Sequence, residues 1–259
     1  MTGTAPTISF ENVTRRYGDA VALDRVSLDV RDRECLAVVG ASGSGKTTLL
    51  RLINRLIDPS TGTVRVNGED VQRTDAVALR RHIGYVFQGV GLFPHMTVAE
   101  NIAITPRLLG WERGRIDARV DELIALVRLD AARYRNRLPS ELSGGEAQRV
   151  GIARALAAEP RIMLMDEPFG ALDPLTRDAL NEDFRRLHET LGLTTVIITH
   201  DMLEALLIAD RIAVIRAGRI VATDTPRALM TDAADEYVRE LIAVPRRHAQ
   251  RLNAFTGRA

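Results

Sequence analysis

The sequence of 259 residues contains very little that would place it outside the cell or inside a membrane. Its one cysteine, Cys35, excludes an internal disulfide and suits a reducing compartment. No apolar run approaches the roughly 20 residues that a membrane span requires. The N-terminus also lacks a basic stretch followed by an apolar one, so no signal peptide is predicted. We therefore expect a soluble, cytoplasmic chain whose contact with any membrane comes through a partner.

The chain also has almost no net charge, with 35 basic and 34 acidic side chains. Such a balance argues against a polyanion-binding protein, and nucleic acid is not expected as a partner. The exception is segment 245–259, which carries four arginines and no acidic residue. A frayed, solvated terminus is the simplest interpretation of this segment, and a contact with lipid or nucleic acid is the alternative. The length and the apolar share of 46% fit one large domain, or one domain with an appendage.

Residues 40–47, Gly-Ala-Ser-Gly-Ser-Gly-Lys-Thr, match the phosphate-loop pattern G-x-x-x-x-G-K-[ST]. An apolar run at 35–39 predicts a buried strand before the loop, and the apolar spacing of 48–54 predicts a helix after it. The glycines allow successive N–H groups to point at a phosphate, Lys46 can reach the outer phosphates, and the Thr47 hydroxyl can bind Mg²⁺. A flexible glycine-serine loop is the alternative, but strand, loop and helix agree. The predicted nucleotide-binding residues here are Gly40, Ala41, Ser42, Gly43, Ser44, Gly45, Lys46, Thr47 and Thr48.

The remaining pattern predicts an α/β fold with a parallel-sheet core of the phosphate-loop NTPase kind, an antiparallel layer and an inserted helical subdomain. Alternation at 8–13 and 26–30, with a turn at 15–18 and an Asn67-Gly68 hairpin, predicts the antiparallel layer. Further strands are predicted at 83–87, 162–165, 195–199, 211–215 and 219–221. Helices are predicted at 76–81, from 97 to about 138 with breaks at Pro106, Gly110 and Pro139, from 142 to 158, from 174 to about 191, and as two short elements near Pro226 and Asp235.

Polar residues follow three predicted strands of this core. Asp166 and Glu167 end one buried strand at the ligand-binding edge of a parallel sheet. Asp166 suits a water-mediated Mg²⁺ contact, and Glu167 suits the orientation of an attacking water, although the pair could instead cap the next helix. Gln88 can sense both the metal and a neighbouring surface. His200 can reach a γ-phosphate, whereas a structural histidine is the alternative. The other histidines receive no role: His82, His95, His188 and His248.

A second glycine-rich helix start, Ser143-Gly144-Gly145, lies about 100 residues after the phosphate loop. Its hydroxyl and free N–H groups can bind an anion at the positive end of a helix. Reaching the same phosphate within one chain would be awkward across a helical insertion. We therefore expect this segment to bind the nucleotide of another copy, so that two copies bury two ATP molecules.

These motifs, in this order, resemble the ATPase subunit of ATP-binding-cassette (ABC) transporters over about residues 8–242. The resemblance implies ATP and Mg²⁺ as ligands, a helical subdomain at about 97–158 and a basic tail at 243–259. It also implies roles for an adenine-stacking Tyr17, which could otherwise be a core or turn tyrosine, and for Asp173 as the D-loop residue. The implied nucleotide contacts outside the phosphate loop are Tyr17, Gln88, Ser143, Gly144, Gly145, Glu146 and Asp173. Glu146 departs from the glutamine that is commoner in this family.

A finer resemblance, carried by residues 52–59, 91–97 and 108–111, is to the branch that imports quaternary-amine osmoprotectants. It implies glycine betaine, choline, carnitine or proline betaine as solute, and a place on the cytoplasmic side of the cell membrane. The implied partners are a second ATPase copy or paired subunit, integral membrane permeases and, indirectly, an extracytoplasmic substrate-binding protein. Many members carry regulatory modules after the ATPase, and we expect none within 259 residues.

Three alternatives stay open: a different solute, an exporter, and a soluble cassette ATPase of DNA repair or translation. The last usually has two cassettes or long coiled coils in one chain, which this sequence lacks. The apolar loop at 89–96 is expected to be a contact surface, since exposed apolar loops commonly are. The alternative is a loop packed against its own domain.

Overall fold

The computed structural model describes residues 5–256. Within this range, strands β1 to β10 are Ile8–Tyr17, Ala20–Val30, Cys35–Val39, Thr61–Val66, Glu69–Asp70, Ile83–Val86, Ile162–Asp166, Thr194–Thr199, Arg211–Arg216 and Arg219–Asp224. Helices α1 to α10 in the same range are Lys46–Ile53, Ala76–Arg81, Val98–Leu108, Arg113–Leu126, Ala131–Tyr134, Gly144–Leu156, Pro174–Leu191, Met202–Ile208, Pro226–Asp232 and Glu236–Thr256. A short 3₁₀ turn, Pro139–Glu141, precedes α6.

The larger sheet has six strands in the order β10-β9-β3-β8-β7-β6. Strand β3 is parallel to β8 and β9, β7 is parallel to β8 and β6, and β10 closes the edge as an antiparallel hairpin with β9. Strands β3, β7 and β8 are buried along their whole length. Helices cover both faces of such a sheet, and this explains why these strands are continuous apolar runs in the sequence. The predicted parallel core is confirmed.

The smaller sheet is antiparallel, in the order β2-β1-β4-β5, and confirms the predicted N-terminal layer. The turn predicted at 15–18 was wrong, because β1 continues to Tyr17 and pairs Tyr17 with Ala20. Register shifts along β1 interrupt the alternation of apolar and polar residues, so the sequence pattern ends before the strand does. The Asn67-Gly68 turn is confirmed, with positive φ angles of 52° and 81° as a tight hairpin turn requires.

Helices α3 to α6 lie between β6 and β7, where the sequence predicts a helical insertion. Thr97 begins α3 with a capping box, because its hydroxyl accepts the N–H of Glu100 and the Glu100 carboxylate accepts the N–H of Thr97. The predicted break at Pro106 was wrong, since Pro106 lies inside α3. The proline is buried and stands two residues before the helix ends, so only one late backbone hydrogen bond is lost.

The C-terminal segment differs most from its sequence expectation. A short helix near Asp235 and a frayed basic tail are predicted, but α10 runs from Glu236 to Thr256 and continues through Pro245. Val238 and Ile242 are buried in a cluster with Leu229 of α9, and this packing anchors the helix. Residues 257–259 lie outside the described residues. In the described part of the chain, every helix is too short or too polar to cross a bilayer.

Candidate nucleotide-binding site

A cleft of about 500 Å³ opens beside the phosphate loop, at the carboxyl edge of the larger sheet. Its lining combines the phosphate loop with residues from four other places in the chain. The lining residues are Ala22, Ser42, Gly43, Gly45, Lys46, Thr47, Thr48, Gln88, Glu167 and His200. The structure thus brings Lys46, Gln88, Glu167 and His200 together, as the order of strand ends predicts.

The phosphate loop joins β3 to α1 in a conformation that needs glycine. Gly45 has a φ of 107°, and a Cβ there would lie 2.5 Å from the carbonyl oxygen of Ala22. The loop also folds around its own lysine, because Lys46 Nζ donates to the carbonyl oxygens of Gly40 and Ala41 at 2.8 and 2.9 Å. Burial lowers the pKa of Lys46, and the carboxylates of Glu167 and Asp166 oppose that shift. The ammonium is therefore held close to the loop.

The donors and acceptors of the loop fit a triphosphate with Mg²⁺. The buried Ser44 Oγ has no hydrogen-bond partner within residues 5–256, so its O–H is available to a phosphate oxygen. Thr47 Oγ1 donates to Asp166 Oδ1 at 3.2 Å. Burial raises the pKa of Asp166, and the hydrogen bond from Thr47 partly offsets it.

No cluster of three or more His, Cys, Asp or Glu side chains suited to a metal occurs in the described range. Mg²⁺ commonly uses one or two protein oxygens together with phosphates, and Thr47 with Asp166 provides such a pair.

Three predicted residues converge on one carboxylate oxygen. Glu167 Oε2 lies 3.2 Å from His200 Nδ1 and 3.4 Å from Gln88 Nε2. The backbone of Glu167 has a φ of 45°, in the left-handed region that is uncommon for a residue with a side chain. The alternative in which Asp166 and Glu167 cap the next helix is not supported, because Asp173 caps α7. The arrangement can hold a water molecule beside the phosphate loop.

Tyr17 is not among the residues that line the cleft. It ends β1, its side chain is half-exposed, and the guanidinium carbon of Arg15 lies 4.5 Å from the centroid of its ring. Ala22 of the neighbouring strand β2 contributes to the lining instead. The adenine-stacking role of Tyr17 therefore stays a prediction.

Residues 143–146 are also absent from the lining formed by the described residues. Ser143 begins α6, and its hydroxyl accepts the N–H of Glu146 at 3.3 Å. The Glu146 carboxylate accepts the N–H of Ser143 at 2.8 Å and the hydroxyl of Tyr134 at 2.5 Å. The Tyr134 bond is the main reason that the pKa of Glu146 is lowered. A Cβ at Gly145 would lie 2.5 Å from Thr176 Cγ2, so this helix start packs against α7.

Asp173 lies at the start of α7, where Oδ1 accepts the N–H of Thr176 at 3.1 Å. Hydrogen bonding from the Thr176 side chain, followed by that from the Thr176 N–H, lowers the pKa of Asp173. Asp173 too lies outside the lining of the cleft. The nucleotide contact that the family resemblance implies for Asp173 stays a prediction.

Sequence reasoning missed two tyrosines that support the motifs. Tyr134 holds Glu146, and the Tyr237 hydroxyl accepts the N–H of Ala41 in the phosphate loop at 3.2 Å. Tyr237 lies on α10, far along the chain from the loop, and no local pattern connects the two. Only the packing of α10 beside the sheet reveals this contact.

The fold and the cleft define a phosphate-loop nucleotide-binding protein with a helical insertion. The chain belongs to the ABC transporter family, since the model of that family, described as ABC transporter, matches residues 23–170. This confirms the family resemblance seen in the sequence.

The chain is 49% identical to the choline transport ATP-binding protein OpuBA of Bacillus subtilis. The alignment of 240 residues covers 92% of this chain and 63% of OpuBA. It is 45% identical to the glycine betaine uptake system ATP-binding protein YehX of Escherichia coli, over 90% of this chain and 75% of YehX. It is also 47% identical to the sulfate/thiosulfate import ATP-binding protein CysA of Bradyrhizobium diazoefficiens, over 91% of this chain and 69% of CysA. The chain thus spans less than two thirds of OpuBA.

Among solved structures, the fold is similar to the dimeric structure of MJ0796, a bacterial ABC transporter cassette. The TM-score is 0.77 and the identity is 35%, over 85% of this chain and 99% of the other. The expected ABC ATPase fold is therefore confirmed.

Proposed function

We propose that this chain is the ATP-hydrolysing subunit of a membrane importer, and that it works as a pair of copies. One observation carries the proposal: His200 and Gln88 both approach Glu167 Oε2, beside the phosphate loop. A nucleotide-binding loop alone would serve many proteins. A carboxylate, an imidazole and an amide gathered beside that loop are suited to hydrolysis.

In the proposed reaction each residue has a distinct task. The phosphate loop and Lys46 bind the β- and γ-phosphates, and burial keeps the lysine close to them. Thr47 and Asp166 would hold Mg²⁺, which neutralises charge on the phosphates when bound. Glu167 orients a water for in-line attack on the γ-phosphorus and accepts its proton. The water oxygen bonds to the γ-phosphorus as the bond to the bridging oxygen breaks, and ADP and inorganic phosphate leave. His200 donates a hydrogen bond to the γ-phosphate and fixes the carboxylate of Glu167.

A second copy would supply the start of α6. Residues 143–146 do not line their own cleft, while the N-terminus of α6 presents N–H groups that favour an anion. The solved structure of the similar cassette MJ0796 is dimeric. Two copies placed face to face would bury two nucleotides, each between one phosphate loop and the partner's α6.

The permease would bind near the loop at 89–96. The backbone of this loop is anchored to its own domain, because Arg154 donates to the carbonyl oxygens of Val90 and Gly91 at 2.9 and 2.7 Å. Phe93 of this loop and Phe87, which precedes it, remain half-exposed beside a groove of about 310 Å³. A rigid loop that presents exposed rings suits a contact with a membrane partner. Such a contact would place the chain on the cytoplasmic side of the membrane.

The solute proposed is a quaternary-amine osmoprotectant, such as choline or glycine betaine. The relatives OpuBA and YehX carry these solutes in their names, and the sequence resembles that branch. A sulfate importer subunit is nearly as similar, so the ATPase alone carries weak information on the solute. Selectivity would belong to the permease and to the extracytoplasmic substrate-binding protein that delivers the solute.

Reconstitution of the chain with its permease and binding protein in liposomes tests this function. We expect ATP-dependent uptake of labelled choline or glycine betaine, and no uptake with the Glu167→Gln variant. Uptake of sulfate instead would replace the solute while keeping the importer. Co-purification of the chain with DNA or ribosomes, and never with an integral membrane protein, would contradict the transport function.

A further inference from the structure

Arg177 lies one turn into α7, outside the lining of the cleft, and contacts two separate loops. Its Nη2 donates to the carbonyl oxygens of Leu172 at 3.0 Å and Gly170 at 3.5 Å. Its Nη1 lies 3.6 Å from Asp201 Oδ2. One guanidinium therefore joins the turn that follows Glu167 to the loop that follows β8.

Both loops carry a group of the proposed reaction. The N–H of Gly170 donates to the carbonyl oxygen of Glu167 at 3.4 Å, and a Cβ at Gly170 would lie 3.7 Å from His200 Cε1. Asp201 directly follows His200, and its N–H donates to Thr199 Oγ1 at 3.0 Å. Because the residues on both sides of His200 are held, the imidazole position depends on what fixes Asp201.

The two carboxylate oxygens of Asp201 have separate partners. Oδ1 accepts the N–H groups of Leu203 at 2.8 Å and Glu204 at 3.3 Å, and so caps α8. Oδ2 is left to face Arg177. Asparagine is also a good N-cap residue, so Asp201→Asn keeps the cap and removes the charge that attracts Arg177.

We infer that Arg177 is a positioning residue, which holds the Glu167 turn and the His200 loop at a fixed separation. It thereby sets the contact of 3.2 Å between His200 Nδ1 and Glu167 Oε2. This inference rests on the proposed ATPase function. Loss of the guanidinium slows hydrolysis but leaves nucleotide affinity intact, because Arg177 does not contact the phosphate loop.

Steady-state kinetics of Arg177→Ala provide the first test. We expect kcat to fall roughly ten- to a hundredfold, as for loss of hydrogen bonds from a charged group, with the KM for ATP within about twofold. The matched control is Arg186→Ala on the same helix, where Arg186 pairs with Glu182 at 3.1 Å. The control should keep the kcat of the wild type. Equal kcat values for the two variants would overturn the inference.

A double-mutant cycle with His200→Ala separates positioning from general loss of structure. If Arg177 acts through His200, Arg177→Ala should slow the His200→Ala protein by less than about twofold. Full additivity would overturn the inference. If Arg177→Ala does not fold, the same cycle is run with Asp201→Asn, for which we expect roughly a three- to tenfold fall in kcat.

NMR of the nucleotide-free protein provides a third test. The ¹⁵N chemical shift of His200 Nδ1 reports its contact with Glu167, so it should move in Arg177→Ala and in Asp201→Asn but not in Arg186→Ala. An unchanged shift in both test variants would overturn the inference. A wild-type chain that hydrolyses no ATP in its complex would instead contradict the proposed function, which keeps the two failures distinct.

Discussion

The two glycine-rich helix starts of this molecule are built in opposite ways. At the start of α1, Gly45 is the N-cap, and no side chain within residues 5–256 caps the helix. At the start of α6, Ser143 and Glu146 form a capping box, and Tyr134 binds the same glutamate. The first start leaves its N–H groups to a ligand, whereas at the second the N–H groups of Ser143 and Glu146 are bound by side chains of the capping box.

The surroundings of the two starts differ in the same way. Around α1 several buried polar groups are incompletely satisfied. Ser44 Oγ lacks a hydrogen-bond partner within the described residues, and burial lowers the pKa of Lys46 and raises that of Asp166. Around α6 the Glu146 carboxylate accepts two hydrogen bonds, one from the Ser143 N–H and one from the Tyr134 hydroxyl, and it lies at the helix end that favours a negative charge. Unsatisfied polar groups indicate where a ligand binds, and satisfied ones indicate a preformed surface.

The largest effect on ATP hydrolysis is expected beside the phosphate loop, where Glu167 lies. Glu167→Gln should lower the rate of ATP hydrolysis by roughly a thousandfold, because an amide orients and polarises water poorly. ATP binding should persist, and size-exclusion chromatography with ATP should show a stable dimer. Glu182→Gln, on the exposed side of α7, is the control and should hydrolyse ATP normally. Normal turnover by Glu167→Gln would remove Glu167 from its role.

Lys46→Ala should weaken ATP binding by roughly a hundredfold, since a charge-assisted contact with the phosphates is lost. Titration calorimetry measures the affinity for ATP, with the exposed Arg113→Ala as control.

Lys46 is the single lysine of the sequence, so lysine-selective acylation of the wild type should be blocked by ATP. Acylation of Lys46 at the same rate with and without ATP would contradict the phosphate-loop assignment.

Glu204 is an incompletely satisfied buried carboxyl group outside the cleft lining. It is buried behind the His200 loop, accepts the Thr199 hydroxyl at 2.8 Å, and its Oε1 has no partner in the described part of the chain. Burial raises the pKa of Glu204 from 4.5 to about 7. The folded state therefore binds this proton more tightly than the unfolded chain, so stability falls as the pH rises from about 4.5 to about 7.

Glu204→Gln should remove the fall in stability between about pH 4.5 and about pH 7. At pH 8 we expect its free energy of unfolding to exceed that of the wild type by about 2 kcal/mol, with no difference near pH 4.5. Urea denaturation at the two pH values measures the change. The exposed Glu182→Gln should show no such pH dependence. A wild type whose stability does not change over this range would contradict the raised pKa.

The smallest effect, on the affinity of the ATP-bound dimer, is expected at the start of α6. Glu146→Gln removes a negative charge that would face the partner's triphosphate, so the ATP-bound dimer of a Glu167→Gln background should tighten about threefold. The gain should shrink at high salt. Glu141→Gln is the matched control, because Glu141 accepts the N–H of Leu138 in a neighbouring capping turn. A weaker dimer in Glu146→Gln would show that the carboxylate itself is needed.

Local pattern predicted much of the fold, and its failures have physical causes. Strand β3 and helix α7 were predicted with the observed bounds, because a continuous apolar run and an Asp-Pro start are strong local signals. The end of β1 and the length of α10 were missed. Pairing across register shifts extends the first, and burial of Val238 and Ile242 extends the second.

The sequence by itself determined the phosphate loop, the acidic strand end and the order of the motifs, because each depends on residues adjacent in the chain. Only the tertiary structure decided that Gln88, Glu167 and His200 meet at one oxygen, and that Tyr17 does not line the cleft. The same holds for Arg177, Tyr134 and Tyr237, which lie outside the recognised motifs, although their partners Leu172, Glu146 and Ala41 lie in or beside them. Such contacts arise from the packing of whole elements, which no short stretch of sequence encodes.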